Sequence, residues 1–213
     1  MEEKQIHDDL AAIRSVMERS SKFISLSGLS GIMAGVYALI GAGAAQYIIR
    51  ENTSELGRLP FIEQIFNIYA EFFIKLEYLS LIAVLVLVAS VITGYFLTKR
   101  KAKRKGQVIW GRISRSLLFY LAVPLLSGGA LILIAIYQGD YFIVAPATLI
   151  FYGLALVSAS NFTFTMVKYL GICEIILGLL TACLPGYGLL FWAVGFGVLH
   201  IIYGSMMYLR YDR

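Results

Sequence analysis

The sequence predicts an all-α, polytopic membrane protein. The expected architecture is a six-transmembrane-helix bundle forming a single membrane domain over residues 1–213. An amphipathic cytoplasmic helix precedes it, and an interfacial helix stands before the second span. Three observations carry this expectation. Hydrophobic residues make up 59% of the chain and charged residues only 15%, which leaves too little polar side chain to wet the surface of a soluble domain. The apolar residues gather in nearly uncharged runs of about 20, the length that crosses a bilayer as an α-helix. Lys and Arg then concentrate in alternate connections, as they do in a chain that weaves back and forth through a membrane.

The N-terminal MEEKQIHDDL is acidic and polar, unlike the start of a signal peptide. Over residues 2–22, Ile6, Leu10, Ile13, Met17 and Ser20 alternate spacings of four and three, and Ile24 continues the pattern. Two readings fit: a helix lying against the membrane or the bundle, and a short coiled coil that would make a homo-oligomer. The first span covers about residues 23–49. Its Ser27, Gly31 and Gly35 repeat every four residues, a face of small side chains that lets another backbone come close. A seam within the bundle is the favoured use of that face.

Pro60 suits the first turn of a helix, and Phe61, Ile62, Ile65, Phe66, Tyr69, Phe72 and Phe73 behind it form an apolar, aromatic face. This is the expected interfacial helix, leading into the second span at about 79–98. Lys99 to Lys105 (KRKAKRK) follows. Between two spans such a run meets anionic lipid headgroups, so nucleic acid is not expected as a partner. The third and fourth spans are expected at about 117–137 and 142–159, with Pro124 and Pro146 each removing an intrahelical hydrogen bond and bending its helix. The fifth and sixth fall at about 163–184 and 187–209, joined by a turn at Pro185 and Gly186.

Charge sets the expected orientation. Residues 1–22, 99–116 and 210–213 carry four, eight and two Lys/Arg, 14 in all; the connections on the other side carry three, Arg50, Arg58 and Lys75. Both termini are therefore expected in the cytoplasm of a cell whose inner membrane holds the protein. The net charge of +5 reports this topology rather than a class of partner.

The fifth and sixth spans carry the candidate site. Glu174 and His200 are ionisable residues within apolar runs, where a charged side chain costs on the order of 3 kcal/mol or more. At 1.5 Å per residue the two lie about 16 and 13 Å from the same membrane face, so a Glu174–His200 pair is expected across the hairpin. Gly171 and Gly178 flank Glu174 at spacings of three and four, and Gly197 and Gly204 flank His200 in the same way. Lys168 and Tyr203 are candidates for a supporting role around the pair. Two uses compete: a titratable site that binds or transports a small solute or ion, and a clamp holding helices together in a structural or regulatory subunit.

Other chemistry finds little support. The sequence holds no HExxH, GxSxG or GxxxxGK[ST], so a non-enzymatic protein is expected, with a lipid-directed intramembrane enzyme the residual alternative. Glu174, His200 and Cys173 make three metal ligands at most, and Cys173 points about 100° away from Glu174, so neither metal nor cofactor is expected. Cys173 and Cys183 lie about 15 Å apart along one helix, too far for a disulfide, and read as small buried hydrophobes. The ERSSKFISLSGLSG start and the PGYGLLFWAVGFG…YG hairpin resemble small six-span bacterial inner-membrane proteins of uncharacterised function. That resemblance implies a bacterial cytoplasmic membrane and brings no activity, cofactor or site residue with it.

Overall fold

A computed structural model describes residues 26–50, 61–104, 106 and 110–211, with side chains described from residue 74 onward in the second stretch. The amphipathic helix expected over residues 2–22 lies outside the described residues, as does Lys105. All regular structure among the described residues is helical. Helix α1 is Gly28–Arg50, α2 Phe61–Arg104, α3 Arg112–Gln138, α4 Val144–Ala159 and α5 Thr165–Cys183. Helix α6 runs over Gly188–Tyr211 and contains a π-helical stretch, Ala193–Leu199, between two α-helical pieces. Six helices are long and apolar enough to cross a membrane, the build of a multi-pass integral membrane protein.

Close contacts show how the helices are arranged. Gly31 faces Gly204, and Gly35 faces Gly197 and Ile201, so α1 and α6 run antiparallel with their backbones almost touching. Helix α2 lies along the other side of α1, where Val86 packs on Gly41 and the Tyr37 hydroxyl meets Thr93 Oγ1 at 3.2 Å. A second trio repeats the plan. Gly153 of α4 faces Gly171 of α5, and Gly128 of α3 faces Phe151 of α4. Tyr120 stacks on Phe162 at 4.9 Å between ring centres at one end of α3 and α4. The trios α1–α2–α6 and α3–α4–α5 meet where α6 approaches α4 and α5.

Turn chemistry follows the sequence. Gly139 takes φ +81° after α3, and the N–H groups of Gly139 and Asp140 reach back to the Ile136 and Ala135 carbonyls at 3.1 and 2.9 Å. That left-handed cap costs glycine nothing, and it closes the helix by satisfying its last carbonyls. Gly186, after Pro185, takes φ +94° in the turn between α5 and α6.

Four expectations change. The interfacial helix and the second span form one uninterrupted helix of 44 residues, about 66 Å long at 1.5 Å per residue. Nothing in it acts as a breaker, since it holds no proline and its single glycine, Gly94, lies far down the span. Pro146 is the third residue of α4, within the first turn, where an N–H has no intrahelical partner to lose. Ser27 precedes α1 and is buried there, its carbonyl accepting from the Ser30 N–H at 3.2 Å. Gly28 takes the seam position, and a Cβ there would collide with the Tyr208 nitrogen. Cys173 and Cys183 are exposed and unbridged, because α5 turns its Glu174 face inward and theirs outward.

A buried apolar cluster of Leu156, Phe164, Val167, Leu170 and Met207 joins α4, α5 and α6 near one end of the bundle. Lys101, near the end of α2, donates to the Leu26 carbonyl at 2.6 Å, and Ala102 beside it is fully buried. Apart from the face that meets α1, the span carries outward-facing side chains such as Leu85, Leu87, Val91 and Phe96, as lipid-facing residues do.

Candidate functional site

Glu174 stands nine residues into α5, midway along its 19 residues. The helix holds it on an inward face with Val167, Leu170, Gly171, Gly178 and Thr181, all buried. Gly171 and Gly178 on that face press against α4: a Cβ at Gly171 would come 2.6 Å from the Gly153 oxygen, and one at Gly178 2.6 Å from Ile150 Cγ1. The glycines thus seat α5 deeply on α4, and that depth carries the glutamate into the junction between the trios. Its exposure is 0%, and neither carboxylate oxygen has a hydrogen-bond partner among the described residues.

The facing wall comes from α6. Gly195 lies directly against the carboxylate, so that a Cβ there would overlap Glu174 Oε2 and approach Leu149 Cδ2 to 2.7 Å. His200 Nδ1 stands 3.5 Å from Oε1. The same nitrogen is 3.0 Å from the Gly195 carbonyl, which can only accept, so Nδ1 carries a proton. In the neutral imidazole Nε2 then holds a lone pair, and the Tyr152 hydroxyl of α4 donates to it at 2.7 Å. Glu174, His200 and Tyr152 therefore form one polar line joining α5, α6 and α4.

The backbone of α6 makes this possible. A π-helix spaces its hydrogen bonds five residues apart, and Gly195 and His200 are separated by that interval across the end of the stretch. AVGFG is a poor α-helical sequence, with two glycines in five residues. Phe196 closes the site on the aromatic side, with ring centres 4.9 Å from Tyr152, 5.9 Å from His200 and 5.0 Å from Trp192.

The residues singled out from sequence are divided among different contacts. The structure brings Glu174 and His200 together at matching depth. It does not bring their glycine stripes face to face: Gly171 and Gly178 meet α4, whereas Gly197 and Gly204 meet α1 through Gly31 and Gly35. Tyr203 directs its hydroxyl to Met207 Sδ at 2.9 Å, and Lys168 is exposed, so neither hydrogen-bonds to the carboxylate. Sequence reasoning missed Tyr152 and Gly195. For Tyr152, one tyrosine in an apolar span, the sequence held no signal that set it apart. For Gly195 the signal was the clustering of glycine just ahead of His200.

Among the described residues no three His, Cys, Asp or Glu side chains gather closely enough to hold a metal ion. No family model, curated protein or solved structure matches the chain, so no relative lends an assignment to these residues.

Proposed function

We propose that this integral membrane protein binds or moves a small solute or ion, with Glu174 and His200 as its titratable core. One observation carries the reading: a carboxylate completely buried at mid-span, at the junction of two helix trios, with both oxygens lacking hydrogen bonds. Burying an unpartnered polar group costs roughly 1–3 kcal/mol, more if charged, and a residue used only for packing has no need to bear that cost. Ionisable residues that persist within spans commonly mark ion or substrate pathways. A junction between two separately packed trios is also where relative movement disturbs the fewest close contacts.

The same reading sets the protein in the inner, cytoplasmic membrane of a bacterial cell with both termini inside. It is supported by the 14-to-3 distribution of Lys and Arg, and Lys99 to Arg104 would lie against anionic headgroups. The alternative, a structural or regulatory subunit without transport, draws on the Tyr152–His200 bond, which ties one trio to the other and would serve as a clamp.

Flux through proteoliposomes separates them. Protons, Na⁺ and K⁺ are driven in turn across vesicles holding the purified protein. Glu174→Gln, which keeps shape and removes the titratable proton, should reduce the pH-dependent flux to that of empty vesicles while the protein remains folded. Parent protein that moves none of the three, or flux indifferent to the substitution, would leave the clamp as the better account.

A further inference from the structure

We infer that the ion handled at Glu174 is the proton and that it reaches the carboxylate through a Tyr152–His200–Glu174 relay crossing three helices. This rests on the reading of Glu174 as a transport group and names its substrate and route.

Space gives the first reason. Gly195 and fully buried Leu149 crowd the carboxylate so closely that one added methyl on Gly195 would overlap Oε2. A site without room for a methyl group at that point has none for a metal cation with its shell of oxygen ligands. A proton adds no volume. The second reason is the alignment. A proton needs a chain of groups that both give and take hydrogen, and Tyr152 Oη, His200 Nε2, His200 Nδ1 and Glu174 Oε1 supply one with separations of 2.7 and 3.5 Å. The longer gap exceeds a hydrogen bond by about half an ångström, so the last transfer requires a small closure of α5 on α6.

The steps balance. A proton arriving at the Tyr152 oxygen allows that hydroxyl to pass its own proton to Nε2, while Nδ1 passes its proton to Oε1. Tyr152 ends as it began, and the imidazole is neutral before and after with its proton moved from Nδ1 to Nε2. The carboxylate has become a carboxylic acid, its negative charge cancelled by the proton that entered. During this state the Gly195 carbonyl has lost its donor, and it regains one when the steps run backward, Oε1 returning its proton to Nδ1 as Nε2 returns its own to Tyr152. The π-helical backbone thereby favours the state in which the carboxylate is ionised. Release from the carboxylate as α5 and α6 part would give the movement a direction.

The other titratable group facing the line is Tyr203 on α6, close enough to Tyr152 to interact with it electrostatically. Its hydroxyl is committed to Met207, which leaves Tyr152 as the entry point. Lys168, on the Glu174 helix, is exposed.

The test uses the full-length protein in proteoliposomes with an entrapped pH indicator and a K⁺ diffusion potential. Tyr152→Phe keeps the ring against Phe196 and His200 and removes only the hydroxyl. Proton flux should fall by about tenfold or more, the scale of losing a positioned proton donor, in protein that remains folded and monodisperse. Parent flux should be slower in D₂O, and the residual flux of Tyr152→Phe should lose that sensitivity, which a packing role would not produce. His200→Gln, able to hydrogen-bond but not to exchange a proton between two nitrogens, provides a second variant with the same expected loss. Parental proton flux in both variants, or Glu174-dependent movement of Na⁺ or K⁺ without protons, overturns the relay and leaves the reading of Glu174 standing. Absence of any flux from the parent overturns both.

Discussion

Helix α6 has two working sides that solve opposite problems. Toward α1 it offers Gly197 and Gly204, and the two backbones approach until there is no room for a side chain between them. Toward α5 it offers Gly195 and His200, and the space so made is filled by a carboxylate that stands 3.5 Å from His200 Nδ1 and accepts no hydrogen bond among the described residues. The first contact gains dispersion and weak Cα–H···O interactions along its length, which is how helices associate when lipid removes the hydrophobic contrast. The second gives up such gains to enclose a polar group. The difference indicates a division of labour: one side anchors α6, so the other can hold a costly group in place without the helix drifting away.

The most severe way to break that contrast is to put a side chain into the anchoring side. A Cβ at Gly204 would lie 2.5 Å from the Ile32 nitrogen and 2.7 Å from the Gly28 oxygen, backbone atoms that cannot rotate aside. Gly204→Val should therefore cost about 3 kcal/mol or more and show as loss of monodisperse, folded protein in detergent. Tolerance of valine there would mean that α1 and α6 are not held by this seam.

A double-mutant cycle sharpens the polar side. Glu174→Ala and His200→Ala, measured singly and together by thermal unfolding, should show a coupling of about 1 kcal/mol, because His200 Nδ1 faces Oε1. Simple additivity would place the two residues in separate energetic environments.

The smallest effect belongs to α2, which lies outside both sides. Tyr37→Phe removes the hydrogen bond to Thr93 and should cost about 0.6 kcal/mol or less, the usual size of a polar contact between membrane helices. A much larger loss would promote α2 from a flanking helix to part of the core.

How far the sequence disclosed this arrangement depended on whether a property belongs to one helix or to two. The six helices were legible because span length and apolar content are local. The shared depth of Glu174 and His200 was legible too, since rise per residue converts position into height. Which faces meet was not. Helical periodicity arranges Gly171, Glu174 and Gly178 on one stripe but carries no information about the neighbour, and those glycines turned out to serve α4. Tyr152 was hidden among 14 tyrosines, with nothing local to separate a relay hydroxyl from a lipid-facing ring. The π-helical stretch was hidden as well, because a change of helical register before His200 is settled by packing around Gly195 rather than by propensity.

The brevity of the turns in the second half has a practical consequence. Between Arg112 and Tyr211 the helices are separated only by short links at Gly139–Asp140, Thr163–Phe164 and Leu184–Tyr187, interrupted by single helical turns. A protease cleft requires an extended stretch of substrate, and exposed, loosely held loops are where nicking concentrates. These links offer none, so α3 to α6, with the carboxylate and its relay, form a digestion-resistant unit that limited proteolysis of the reconstituted protein would release as one fragment.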